Sequence, residues 1–125
     1  MARPRATARR GAPSGLVPRV KVWLETDANY AFGFGLAQML QAIDRVGSIK
    51  YAARELARSY RYVWGRIKAA ERALGIQLVE THVGGTGVSR SSLTPAARQL
   101  TERFLAVRKR VIALVEREFA ERLSS

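Results

Sequence analysis

The sequence predicts a mainly α-helical fold with a small antiparallel sheet, arranged as a winged helix-turn-helix that runs on into a long C-terminal helix. Three observations predict it. Two helical patterns, over Ser48–Leu56 and Ser59–Leu74, are separated only by Ala57 and Arg58. Directly after them, two short strand-like runs flank the tip Gly84-Gly85-Thr86-Gly87. From Pro95 to Leu123 no helix breaker follows.

The chain divides on these signals into a basic arm over residues 1–18, a winged helix-turn-helix domain over 19–94 and a terminal helix over 95–125. The arm holds Arg3, Arg5, Arg9 and Arg10 among Ala, Pro, Gly and Ser, with no acidic residue. Such a composition buries too little apolar surface to order itself. A solvated tail, a DNA-grasping arm whose arginines enter a minor groove, and an organelle transit peptide all share it. Val20 to Glu25 alternates apolar and polar residues except at Trp23, a strand pattern whose expected partner is the wing hairpin, in a three-stranded antiparallel sheet. Thr26 to Tyr30 then reads as a turn.

From Phe34, the residues Leu36, Met39, Leu40, Ile43 and Val46 form one helical face that ends at Gly47, a supporting helix buried under the two that follow. In the next helix Ser48 is the N-cap and Ile49, Ala52, Ala53 and Leu56 share a face. Ser59 caps the helix after that. Val63, Ile67, Ala70 and Leu74 form its core stripe, and Gly75 ends it. At about 100° per residue, Arg61, Gly65, Lys68 and Arg72 stand opposite that stripe. Tyr60 and Trp64 lie along one edge, where Trp64 reads as a brace against the first helix or the strand, and Tyr62 lies with Arg66 along the other. A glycine inside a helix costs about 1 kcal/mol against alanine, so Gly65 implies close approach of the helix either to DNA or to its own core. A helix with one core face and one cationic, aromatic-edged face, set at an angle by a tight turn, is the pattern of a DNA-reading helix.

Thr94-Pro95 is a cap followed by proline at the first helical position. The helix it starts would be about 43 Å long. Leu100, Phe104, Val107, Val111 and Leu114 keep a 4-3-4-3 spacing along it, after which the seam slips to Val115, Phe119 and Leu123. So long a helix outreaches a domain of this size. Its apolar seam is expected to pair with a second copy, the alternative being to fold back on its own domain.

The charge balance narrows the function. Lys and Arg number 22 against 10 Asp and Glu, a net charge of +12, and the isoelectric point is near 11.4. That excess exceeds what solubility requires and points to a polyanionic partner. With no cysteine, disulfides and thiolate metal sites are excluded, which fits a reducing cytoplasm. No apolar run reaches the ~18 residues of a membrane span. Catalysis is poorly served: His82 is the only histidine and sits in a strand run, so no metal site, cofactor or enzyme activity is expected. The Gly-rich tip lacks the lysine and following helix of a phosphate loop, and suits a hairpin whose neighbour Arg90 can meet a backbone phosphate.

Ser59-Tyr60-Arg61 followed by Val63-Trp64 resembles the recognition helix of the molybdate-responsive (ModE-type) transcription regulators, as does Leu78-Val79-Glu80-Thr81 running into the glycine-rich wing and Leu93-Thr94. The flanks Gly47-Ser48-Ile49 with Ala52-Ala53, and Leu74-Gly75 with Leu78-Val79, are shared with the larger LysR-type family. The resemblance runs from Trp23 to Val115 and is to the N-terminal DNA-binding domain. Ala57 stands where that turn usually has glycine, Arg58 where it usually has an apolar residue, and the wing is poorer in glycine. The resemblance implies a cytoplasmic, homodimeric regulator of double-stranded DNA, with a separate molybdate-binding domain elsewhere in such proteins and no molybdate site in this chain. On residues and resemblance together, Ser48, Ser59, Tyr60, Arg61, Tyr62, Gly65, Lys68, Arg72 and Arg90 are expected at the DNA. The alternative is an architectural or RNA-binding basic protein with no defined operator.

Overall fold

The computed structural model describes residues 15–27, 29–85 and 89–123. Along the chain it runs β1 (Trp23–Thr26), β2 (Asn29–Gly33), α1 (Phe34–Val46), α2 (Ile49–Glu55), α3 (Tyr60–Leu74), β3 (Val79–Val83), β4 (Ser89–Leu93) and α4 (Pro95–Leu123). Val22–Leu105 forms one unit; Met1–Lys21 with Ala106–Ser125 forms a second, of which residues 15–21 and 106–123 are described. The expected arm lies outside the described residues over 1–14, as do Thr86 and Gly87 of the wing tip.

One expectation is corrected by the strands. No three-stranded sheet forms among the described residues: β1 pairs antiparallel with β2, and β3 with β4, in two separate two-stranded sheets. The reason is local. Asp27 takes a left-handed backbone (φ 48°), which aspartate tolerates better than most residues, and the chain doubles back at once. The turn read over Thr26 to Tyr30 therefore lies at its start only: Thr26 ends β1, and Asn29 and Tyr30 already belong to β2, with a register shift between Leu24 and Glu25. That second strand also carries a core anchor that periodicity did not single out: Phe32 is fully buried and meets Phe104 edge-on, ring centres 5.2 Å apart.

The three helices form as their patterns require. α1 buries Leu36, Met39, Leu40 and Ile43, and ends on Gly47 in the left-handed conformation (φ 73°), whose N–H bonds the Ile43 carbonyl. α2 contributes Ala52 and Ala53, small enough for its backbone to approach α1. α3 buries Val63, Ile67 and Ala70, and each larger side chain is worth about 1.5–3 kcal/mol of gross apolar burial. In α4, Ala97, Thr101 and Phe104 are buried in the same unit.

Two side chains tie these parts together. Thr94 caps α4 by accepting from the Ala97 N–H (3.1 Å) and donates its hydroxyl to the Gln77 carbonyl (2.7 Å), while its own N–H bonds the Leu78 carbonyl. Glu71, near the end of α3, accepts from the Leu78 N–H (2.7 Å), more distantly from the Val79 N–H (3.4 Å), and from the Lys68 ammonium (3.1 Å). Burial opposes ionisation of Glu71. The hydrogen bonds from Leu78, Lys68 and Val79, with the Lys68 charge, outweigh it and hold the carboxyl below its ordinary range.

A carboxyl depressed in the folded state adds stability above its unfolded pKa and loses it as pH falls through the folded one. Glu71→Ala should therefore cost about 1–3 kcal/mol at neutral pH, because it leaves the Leu78 N–H unpaired. Urea unfolding followed from neutral into acid should show this difference shrinking below the usual carboxylate range. A difference that stays constant with pH would mean that the charge of Glu71 plays no part.

Candidate nucleic-acid interface

The turn between α2 and α3 sets the angle at which α3 is presented. The Ala57 N–H bonds the Arg54 carbonyl and the Arg58 N–H bonds the Ala53 carbonyl, the paired closure of a Schellman motif. Ala57 sits at the left-handed position of that motif (φ 56°), the place where glycine is usual. Alanine there carries a strain on the order of 1 kcal/mol, and the turn closes nonetheless. The Ser48 hydroxyl caps α2 by accepting from the Tyr51 N–H (3.2 Å), and the Ser59 hydroxyl caps α3 by accepting from the Tyr62 N–H (3.0 Å).

With Val63, Ile67 and Ala70 buried, the opposite side of α3 faces outward. Arg61 and Arg72 are exposed there and make no hydrogen bond or ion pair with the described residues. Tyr60 and Tyr62 are exposed beside Arg61. Lys68 lies on the same side but is engaged, bonded to Glu71 and 5.6 Å from the centre of the Trp64 ring. Gly65 has open space around it: a Cβ added there would meet none of the described residues within 4 Å. Of the two reasons offered for a helical glycine, packing against its own core is therefore removed.

Arg90 stands in β4 opposite His82, and its guanidinium lies over Gly47, where a Cβ would come within 2.9 Å of Nη2. The Ser91 N–H bonds the Gly47 carbonyl (2.9 Å), so the wing is joined to the α1–α2 turn and Arg90 is brought beside the Ser48 cap. His82 is a surface residue near Glu80.

Other expectations change. Trp64 is no core brace: it is 45% exposed, beneath the Lys68 ammonium. Phe104, expected in an interchain seam, is only 4% exposed and packs on Phe32, while Leu100 packs against the same core. Interior and interchain faces demand the same apolar spacing, and the first half of the seam serves the interior. Its second half does not. In the other unit Val107 and Leu114 are exposed, and with the half-buried Val111 they line a groove of about 500 Å³ flanked by Arg110 and Arg117. On the same helix, Ile112 and Val115 line a small cavity with Pro18 and Val20.

A set of cations resting on aromatic rings escaped the sequence reading. Arg54 lies 5.4 Å from the Tyr51 ring centre, Arg58 lies 5.0 Å from that of Tyr62, and Arg66 lies between Tyr62 and Tyr30. The signal was present as aromatic and basic residues three or four apart, the spacing that makes helix neighbours. No acid among the described residues pairs with Arg54, Arg58 or Arg66. The face formed by α2 and α3 is thus cationic, planar-edged and largely uncompensated, which suits phosphates and base edges.

The family profile described as bacterial regulatory helix-turn-helix protein, lysR family, matches residues 34–98. The molybdenum-pterin-binding protein MopB of Rhodobacter capsulatus is 33% identical over 110 residues, which cover 88% of this chain and 40% of MopB. The molybdenum transport protein ModE of Herbaspirillum seropedicae is 32% identical over 80 residues, covering 64% of this chain and 30% of ModE. The chain thus spans less than half the length of these curated relatives. The DNA-binding domain of BenM, solved with benA site 1 DNA, shares the winged helix-turn-helix fold at a TM-score of 0.51 and 22% identity, over 73% of this chain and 94% of that one.

Since none of the described residues occupies the space at Gly65, Gly65→Ala should raise the unfolding free energy by roughly 1 kcal/mol through helix propensity alone. Chemical denaturation would show this as a higher midpoint at unchanged slope. A lower midpoint would mean that the fold needs the missing side chain.

Proposed function

The chain belongs to the lysR family of bacterial regulatory helix-turn-helix proteins, and we propose that it is a sequence-specific DNA-binding transcription regulator that acts in the cytoplasm as a homodimer. The observation that carries this is the outward side of α3. Arg61 is the second residue of a helix capped by Ser59 and has no partner in the described chain, while Gly65 one turn on leaves the helix backbone bare. A helix entering a major groove reads bases from its N-terminal residues, and a bare backbone lets it approach closely. Arg61 would take guanine O6 and N7 with two hydrogen bonds, a geometry lysine cannot copy. Tyr60 and Tyr62 flank that contact. Arg72 and Arg90 would meet phosphates; Lys68 would do so only in competition with Glu71. The BenM domain, solved on DNA, is a fold precedent for this placement.

Dimerisation rests on the second half of the α4 seam. Val107 and Leu114 are 55% and 46% exposed, and an apolar groove along one helix is covered most simply by the same helix of a second copy. Two copies would then present two α3 helices to the two halves of an operator.

Arg61→Ala should cost roughly 1–3 kcal/mol at the operator and relax the preference at one base position in each half-site, without changing stability. Binding to a library of randomised operators would reveal it. Equal loss on every sequence would make Arg61 a phosphate contact and move the reading of sequence to Tyr60 or Tyr62. If operator and random DNA compete equally for the wild type, an architectural role replaces regulation, since specific regulators gain at least ~10³.

Replacing Val107 and Val111 together by Glu should yield a monomer with an intact helix-turn-helix and much weaker operator binding. Sedimentation at tens of micromolar decides the matter: a monomeric wild type would remove the dimer.

A further inference from the structure

Outside the helix-turn-helix, the β1–β2 hairpin places Tyr30 against α3, and what Tyr30 holds is a cation. The Arg66 guanidinium lies 5.7 Å from the Tyr30 ring centre and 5.9 Å from that of Tyr62, and its Nη1 donates to the Tyr62 hydroxyl (3.0 Å). Tyr30 is itself seated. A Cβ on Gly33 would fall 2.1 Å from the Tyr30 hydroxyl oxygen and 3.0 Å from the ring carbon bearing it. Gly33 has an extended backbone (φ −156°) that any residue adopts, so its use here is the space it leaves for the ring. Gly33, Tyr30, Arg66 and Tyr62 thus form one stack running from the hairpin to the outer edge of α3.

Resting on the regulator reading above, we infer that Arg66 is a phosphate clamp at the flank of the major groove and that Tyr30 is its positioning residue. The place of Arg66 on the helix decides phosphate over base. It lies about 100° round from Gly65, toward the side of α3 on which β2 packs, and away from the side that faces the groove floor. A helix about 10–12 Å across nearly fills a groove about 12 Å wide, so its flanks face the sugar–phosphate strands. Among the described residues only one of the five guanidinium N–H groups is engaged and no carboxylate pairs with Arg66, and the ring contacts fix its plane before DNA arrives. Tyr30 does not touch the nucleic acid in this arrangement. The hairpin beside it carries Glu25 and Asp27, which repel phosphate, so its contribution is made through Arg66.

The test needs no operator, because a phosphate contact is indifferent to sequence. Full-length wild type, Arg66→Ala, Tyr30→Ala, Tyr30→Phe and the Tyr30→Ala/Arg66→Ala double variant are titrated with one arbitrary 30-base-pair duplex over a range of salt, with thermal unfolding as a check on folding. Arg66→Ala should weaken binding about five- to tenfold for each protomer seated on the duplex and lower the salt slope by about 0.9 for each, so by about 1.8 for a dimer with both α3 helices engaged. Tyr30→Ala should weaken it about two- to fivefold, and Tyr30→Phe, which keeps the ring, should match wild type. In the Arg66→Ala background, Tyr30→Ala should have no further effect. An unchanged salt slope for Arg66→Ala, or an equal Tyr30→Ala loss in both backgrounds, overturns the clamp while leaving the regulator reading in place. Failure of the wild type to bind any duplex overturns both.

Discussion

Glu71 offers its carboxylate to the backbone of Leu78 and Val79, with the Lys68 ammonium alongside, and through it the end of α3 is tied to the start of the wing. From Leu78 the connection continues to Thr94, whose N–H, hydroxyl and capping role fix the wing to the first turn of α4. At the other side of the wing, Ser91 bonds the carbonyl of Gly47 in the α1–α2 turn. The buried stripe of Val63, Ile67 and Ala70 seats this 15-residue helix on the core. Together with the α2–α3 turn, these few partly buried polar contacts fix the orientation of α3 and so the geometry of its cationic face.

The helices were legible because each carries redundant signals. Ser48 and Ser59 cap, Gly47 and Gly75 take left-handed backbones, Pro95 opens the last helix, and apolar periodicity runs between these marks. Asn29–Gly33 carries no comparable signal: its burial follows from pairing with β1 and from Phe104, some seventy residues on, which no local window contains. The same long-range contact explains why the seam of α4 was assigned whole to a second chain. Phe104 and Val107 are equivalent in spacing and differ only in whether Phe32 reaches them. At the interface, the residue types were right and their neighbours were not visible. Lys68 and Trp64 pair with each other, and Arg66 is organised by a strand that the pattern did not reveal.

Ala57 shows how a departure from the family pattern is absorbed. The turn adopts the geometry glycine would favour, both closing hydrogen bonds form, and the methyl group is carried at positive φ. Caps on both flanking helices and the buried pair Ala52–Ala53 over-determine the turn, so a strain on the order of 1 kcal/mol does not open it. Arg58, on the far side of the turn, gives up the apolar role usual there and stacks on Tyr62 instead.

Neither of the two tryptophans is in the core. Trp23 is half exposed with its indole N–H on Glu25, and Trp64 is half exposed under Lys68 on α3. Neither indole leaves a buried core when the chain unfolds, so a change in intrinsic fluorescence on unfolding reports chiefly the loss of the Glu25 and Lys68 contacts. The same placement makes Trp64 a built-in optical probe. Any polyanion that draws Lys68 away from the ring, or covers the ring itself, alters the light it emits without a label being attached.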